Sequence, residues 1–177
     1  SQNEQDNRYY ARMGKIAMLE PSDSQEAKDM AAFGYELSET YDTPVMLRMT
    51  TRVNHSKSLV EFGEPREQVK REYVKNRAKF DPVPAMAAGM HVQVEKRWAR
   101  LKEYTEKCPF NYEEWNTDEI GVVASGIGYQ YAKETFGSRA SYYKCGMTSP
   151  LPVESIRAFA AKVKKLYVVE ELEPYME

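Results

Sequence analysis

The last third of the chain does most to limit the fold. "IGVVASG" (120–126) is an unbroken apolar run ending in Ser-Gly, "IGYQYAKETFG" is a helix pattern closed by Gly137, and "ASYYKCGM" alternates as a strand does. "TSPLP" then reads as a loop, "VESIRAFAAKVKK" as a helix and "LYVVEE" as a third strand. This strand–helix–strand–helix–strand order argues for a parallel sheet covered by helices on both faces.

The first third repeats the logic in a shorter form. "GKIAMLEP" (14–21) is extended, and a helix follows it. Ser22 stands three residues before Gln25 at capping-box spacing, while Asp23 and Glu26 suit a positive helix N-terminus. Ala27, Met30, Ala31, Gly34, Leu37 and Tyr41 recur at three- and four-residue steps, the stripe of a helix packed on a sheet. Pro44 stops the helix, and "PVMLRMT" is the parallel strand expected after the crossover.

The middle is different. Residues 57–83 are charged and weakly patterned, broken at Gly63-Glu64-Pro65 and Asp81-Pro82-Val83-Pro84. After Pro84 a stripe of Met86, Met90, Val94, Trp98, Leu101 and Tyr104 (or Thr105) predicts one long helix bridging two lobes. "PFNYEEWNTDE" reads as a boundary loop. The expected fold class is therefore α/β, with parallel sheets and flanking helices.

Composition narrows the setting. The 177 residues are 42% hydrophobic and 29% charged, an ordinary globular balance. No apolar run reaches the roughly 20 residues that span a bilayer, so no membrane is expected. The polar "SQNEQDNRYYAR" contains no signal-peptide core. Cys108 and Cys145 stand far apart, so neither a disulfide framework nor a cysteine-bound cluster is expected, and a cytoplasmic setting follows. Residues 66–107 carry 11 Lys/Arg against 6 Asp/Glu, and residues 1–44 carry 4 against 9. The basic segment has no aromatic interleaving on its charged face, so it reads as a solvated helical face and no nucleic-acid partner is expected.

Three stretches could carry chemistry. In "LRMTTRVNHS" (47–56), Arg52 and His55 follow a buried strand, where α/β folds place ligand chemistry. An Arg there can hold a carboxylate and a His can shuttle a proton, though an inter-lobe ion pair and a loop cap use the same residues. Gly126 and Gly128 stand at a strand-to-helix turn, but without a third glycine they read first as a tight connection. Glu170 and Glu171, with Glu173 beyond, form an acidic cluster suited to solvent, an ion pair or a helix cap. His91 lies alone in the Met-rich helix, and no metal-ligand spacing is present.

Taken in order, "SQNEQDNRYYAR", "MLEPSDSQEAKDM", "YDTPVMLRMTTRVNHS", "ASGIGYQYAKE", "GMTSPLPVESIRAFAAKV" and "KLYVVEELEPYME" resemble stretches of the large (alpha) subunit in the indolepyruvate ferredoxin oxidoreductase family. Only residues 66–117 are less distinctive. The resemblance implies part of an enzyme that oxidatively decarboxylates aryl pyruvates to the acyl-coenzyme A, with ferredoxin as electron acceptor. It implies thiamine diphosphate, magnesium and 4Fe–4S clusters in the full-length enzyme, and the beta subunit, ferredoxin, a 2-oxoacid and coenzyme A as its partners. Residues 1–60 would end a pyrimidine-binding-type domain, 61–117 would be a helical linker, and 118–177 would begin a transketolase C-terminal-like domain. The chain would be an internal fragment, inactive and cofactor-free by itself. The family's catalytic glutamate is expected before Ser1, and its diphosphate–magnesium and cysteine-cluster motifs after Glu177. Gln5, Asp6, Arg8, Arg52 and His55 would line the active-site interface, with Arg52 holding the anionic group and no catalytic base assigned. The alternative is a non-catalytic docking module whose basic bridge and acidic end mate with a partner subunit. Apolar residues such as Met86 and Met90 would favour self-association.

Overall fold

A computed structural model describes residues 5–64 and 72–177. The start of the basic segment 66–107 and the stretch before Gln5 lie outside the described residues. The elements in chain order are α1 (Arg8–Gly14), β1 (Ala17–Leu19), α2 (Ser24–Tyr41), β2 (Val45–Leu47), α3 (Thr51–His55), α4 (Arg77–Phe80) and α5 (Pro84–Thr105). They continue with β3 (Asn111–Glu114), β4 (Ile120–Ser125), α6 (Gly126–Phe136), β5 (Ser141–Cys145), β6 (Met147–Ser149), α7 (Val153–Ala160) and β7 (Lys165–Val169).

The strands form two sheets. One has the order β2-β1-β6, with β1 parallel to β2 and antiparallel to β6. The other has the order β3-β5-β4-β7, with β4 parallel to both β5 and β7 and β3 antiparallel at the edge. The α/β class with parallel strands and flanking helices is thus observed. Two details depart from the sequence reading. "ASYYKCGM" is not one strand: it breaks at Gly146, and β6 crosses into the first sheet beside β1. "NYEE" is a strand, because its backbone pairs with β5 over four registers from Asn111↔Cys145 to Glu114↔Tyr142.

Side-chain alternation gives each sheet two working faces. Ala17, Leu19 and Met147 pack with Met30 and Leu37 of α2 and Leu101 of α5. On the opposite face, Met18 packs with Ala11 of α1 and with Tyr175, close to the end of the chain. In the second sheet, Val122, Ala124 and Tyr142 pack against α6, and Val123, Tyr143 and Cys145 pack against Phe159 of α7.

The helix ends follow from local chemistry. Asp23, rather than Ser22, caps α2 by accepting from the Glu26 amide at 2.9 Å. The Glu26 carboxylate completes the box one position later than expected, accepting from the Ser22 amide and hydroxyl at 2.8 Å. Pro84 opens α5, whose stripe is docked only toward its C-terminal end: Leu101 and Thr105 are buried, while Met86 is exposed. No helix among the described residues is long and apolar enough to cross a membrane.

Candidate functional site

Strands β1 and β2 run parallel, so their carboxyl ends open on the same edge of the sheet. Each apolar strand is followed at once by a charged residue, Glu20 after β1 and Arg48 after β2. The ladder extends one step beyond the strands, with the Arg48 amide donating to the Leu19 carbonyl at 2.9 Å. By alternation both side chains share the face of Met18 and Met46, under α1. Arg48 Nη1 donates to Glu20 Oε1 at 2.5 Å, and both residues are buried. Arg48 Nε donates to Asn7 Oδ1 at 2.8 Å, which ties this strand end to the start of α1.

Next to Asn7, Arg8 anchors a second buried group. Its side chain is 0% exposed. Nε donates to Asp6 Oδ1 at 2.8 Å and Nη2 to Asp6 Oδ2 at 2.5 Å. Nη1 donates to Glu170 Oε2 at 2.5 Å, and Nη2 also reaches the carbonyls of Glu171 at 2.7 Å and Glu173 at 2.6 Å. The guanidinium lies over the Tyr175 ring, 5.0 Å from its centroid. The chain after β7 therefore winds round Arg8, and the Glu170 carboxylate closes the turn by accepting from the Met176 amide at 3.1 Å. The acidic cluster read from the sequence is such a turn and not a helix cap.

The electrostatics follow from this geometry. Burial works to raise the Asp6 carboxyl, but the Arg8 guanidinium outweighs it and holds that carboxyl below its ordinary value of 3.8. Burial works to lower the Arg8 pKa, and Asp6, Glu20 and Glu170 together push it up, so Arg8 is a fixed cation. A carboxyl depressed in the folded state contributes stability above its unfolded pKa and loses it as pH falls through the folded value. Asp6→Asn is thus expected to flatten the acid limb of the stability profile below about pH 4. Urea midpoints measured from pH 5 to pH 2 check this; a limb as steep as the parent's would exclude Asp6 as its source.

A further ion pair joins the second sheet to helix α2. Lys144 of β5, 0% exposed, donates from Nζ to both Glu26 oxygens at 2.5 Å. Among the described residues three buried side-chain oxygens lack a hydrogen-bond partner: Glu20 Oε2, Thr50 Oγ1 and Thr148 Oγ1. All three belong to the first sheet or to the residues just past its strands.

The structure brings Asp6 and Arg8 into direct contact, with Gln5 exposed beside them. Arg52 and His55 lie elsewhere, on α3 beyond β2, with exposed side chains that make no hydrogen bond or ion pair among the described residues. The sequence reading passed over Asn7, Glu20, Arg48 and Lys144. Glu20 and Arg48 had a signal, each being the first polar residue after "AML" or "VML"; Lys144 had none. The Gly126-x-Gly128 turn is a packing device at Gly128, where a Cβ would stand 2.9 Å from the Val169 carbonyl oxygen. Both cysteines are buried and free; burial pushes the Cys108 thiol up to about 11 and raises Cys145 as well. Neither is poised as a nucleophile.

The chain is similar to several known proteins. Indolepyruvate oxidoreductase subunit IorA of Methanothermobacter thermautotrophicus is 40% identical over 183 residues, covering all of this chain and 30% of that protein. The subunit of the same description from Thermococcus kodakarensis is 36% identical over 188 residues, covering all of this chain and 29% of its own length. The chain thus spans about 30% of the curated relatives it matches. A 2-oxoglutarate:ferredoxin oxidoreductase from Magnetococcus marinus, solved with 2-oxoglutarate, coenzyme A and succinyl-CoA bound, superposes with a TM-score of 0.57. That match covers 93% of this chain and 37% of the other at 16% identity, and it speaks for the fold. Residues 1–118 match the family described as pyruvate flavodoxin/ferredoxin oxidoreductase, thiamine-diphosphate-binding, and the chain belongs to that family.

Proposed function

We propose that this chain forms part of a thiamine-diphosphate-dependent 2-oxoacid:ferredoxin oxidoreductase. Its substrates are aryl pyruvates such as indolepyruvate, which are decarboxylated to the acyl-coenzyme A with electrons passing to ferredoxin. The full identity range of 34–40% to indolepyruvate oxidoreductase subunits, over the whole chain, supports the substrate class. In this reading residues 1–60 close a pyrimidine-binding-type domain, 61–117 link, and 118–177 open a transketolase C-terminal-like domain. Magnesium, the iron–sulfur clusters and the beta subunit belong to the assembled, cytoplasmic enzyme.

No group of three His, Cys, Asp or Glu among the described residues is placed to hold a metal ion. The buried unpartnered oxygens of Glu20, Thr50 and Thr148 include a carboxylate, which suits a hydrogen-bond donor and repels a diphosphate.

What this chain contributes is an anion holder. Availability carries this reading: Arg8 and Arg48 are buried with committed donors, whereas Arg52, on α3 just beyond β2, is exposed without a partner among the described residues. A guanidinium in that state can take a carboxylate in bidentate fashion. His55, one turn along α3, lies within the same short helix and can donate to the same anion. In the assembled enzyme Arg52→Ala is expected to lower kcat/KM for the aryl pyruvate roughly 10–100-fold, the worth of one or two charged hydrogen bonds. Steady-state kinetics on the intact complex measure it, and unchanged kinetics in a fully assembled variant would remove Arg52 from the site. The non-catalytic docking reading draws on the exposed Leu59, Phe62 and Tyr73, which suit a subunit contact. An assembled complex without 2-oxoacid oxidation would favour it.

A further inference from the structure

We propose that Asn7 and Arg8 are positioning residues that couple the turn after β7 to the end of β2 and the α3 segment beyond it, which carries Arg52. The inference rests on the reading of Arg52 as the anion holder.

The coupling follows from two adjacent residues facing different partners. Arg8 is fixed to the turn through Glu170 and the carbonyls of Glu171 and Glu173, with Asp6 on its other edge. Asp6 also accepts from the Glu173 amide at 3.3 Å, so the turn is held from both sides. Asn7 holds Arg48 through its Nε at 2.8 Å. Arg48 is fixed in turn by Glu20 and by its own ladder bond to Leu19. Thr50, two residues on, begins the α3 turn with its carbonyl accepting from the Asn54 amide at 3.0 Å, and the Arg52 carbonyl accepts from the Ser56 amide at 3.0 Å. One peptide bond therefore separates the grip on the turn from the grip on the strand end. A shift of the turn moves α1's first residues, and Asn7 passes that shift to Arg48 and the α3 segment. The path runs through hydrogen bonds from the turn to Arg8 and from Asn7 to Arg48, and through the backbone from Asn7 to Arg8 and from Arg48 to α3.

The two grips can be released separately. Asn7→Ala removes the acceptor of Arg48 Nε and leaves Arg8 in place. Arg8→Lys keeps one positive charge but cannot span two carboxylates and two carbonyls, because an ammonium lacks the planar fork. Amide hydrogen exchange on the full chain reads the result at four reporters: Asn54 and Ser56 for the α3 segment, Glu173 and Met176 for the turn. The Ala27 amide in α2, bonded to the Asp23 carbonyl at 3.0 Å, is the control. Asn7→Ala is expected to speed exchange at Asn54 and Ser56 roughly tenfold while Glu173, Met176 and Ala27 stay unchanged. Arg8→Lys is expected to speed all four reporters, and Asn7→Asp, which keeps an acceptor for Arg48, to restore Asn54 and Ser56. Unaltered Asn54 and Ser56 in Asn7→Ala, or acceleration confined to the turn in Arg8→Lys, would overturn the coupling. No anion is present in this measurement, so its outcome is separate from whether Arg52 binds one.

Discussion

Replacing Arg8 with alanine is expected to destabilise the fold by about 3–5 kcal/mol, the cost of breaking a buried charge network by removing one partner. Arg8 is 0% exposed, and the side chains of Asp6 and Glu170 are 3% and 8% exposed. Without the guanidinium two carboxylates lie close together without their cation, and two carbonyls of the turn lose their donor. Loss of the contact with the Tyr175 ring adds to the cost, about 0.5–2 kcal/mol depending on how dry that face remains. Domains of this kind are stable by only about 5–15 kcal/mol, so the variant should stand near the edge of folding. Urea titration followed by far-UV circular dichroism measures the loss. Arg8→Lys should lose less, since an ammonium can still pair with one carboxylate. A loss below about 1 kcal/mol in Arg8→Ala would mean that water replaces the guanidinium and that the turn is held by its apolar contacts instead.

Why the sequence disclosed some of this and not the rest has a physical basis. Of the parallel strands, the central β4 was legible because a strand buried on both faces must be apolar, as "IGVVAS" nearly is, while β5 showed its alternation and the half-buried edge strand β7 its apolar "LYVV". β3 and β6 were not legible. "NYEE" is an exposed edge strand and "MTS" is three residues long, so each is made a strand by its neighbour's backbone and not by its own pattern. The long helix α5 was predicted from its stripe, but the stripe could not say that only its C-terminal end meets a sheet.

The candidate site divides in the same way. Arg48 and Glu20 could be placed opposite each other once two parallel strands were read, since both follow three apolar residues. The partnership of Arg8 with Glu170 could not, because the residues are 162 positions apart and no periodicity links them. The same holds for Lys144 and Glu26, 118 positions apart. A strand pattern says which face a lysine occupies and nothing about which helix N-terminus meets it there. Arg52 stands in a short polar segment and is exposed.

The other large effect is expected from Gly146→Ala, at about 3–5 kcal/mol, and it tests how the two sheets are joined. Gly146 is the single residue between β5 in one sheet and β6 in the other. A Cβ there would stand 2.6 Å from the Phe110 carbonyl oxygen, 2.7 Å from Phe110 Cβ and 2.9 Å from Met30 Cε. Met30 can swing its methyl away, but the Phe110 backbone cannot move without releasing the Gly146 amide, which it holds at 3.1 Å. That shift also strains the bonds of Asn111 Oδ1 to the Gly146 and Met147 amides, at 2.9 and 2.8 Å. The Gly146 carbonyl accepts from the Glu20 amide at 2.8 Å, so the disturbance reaches the charged strand end of the first sheet. Overpacking at about 1–3 kcal/mol, with two hydrogen bonds loosened at about 1 kcal/mol each, gives the expected range. Gly89, in the exposed part of α5, provides the contrast, because an added methyl there would meet nothing within 4 Å. Gly89→Ala should stabilise by about 0.5–1 kcal/mol through helix propensity alone. If Gly146→Ala unfolds at the same urea concentration as Gly89→Ala, the crossover has room for a methyl and the two sheets are not tightly joined there. If it unfolds far earlier, with the protection of β1 and β5 amides lost together, one glycine is what lets the strand end of the first sheet sit against the second.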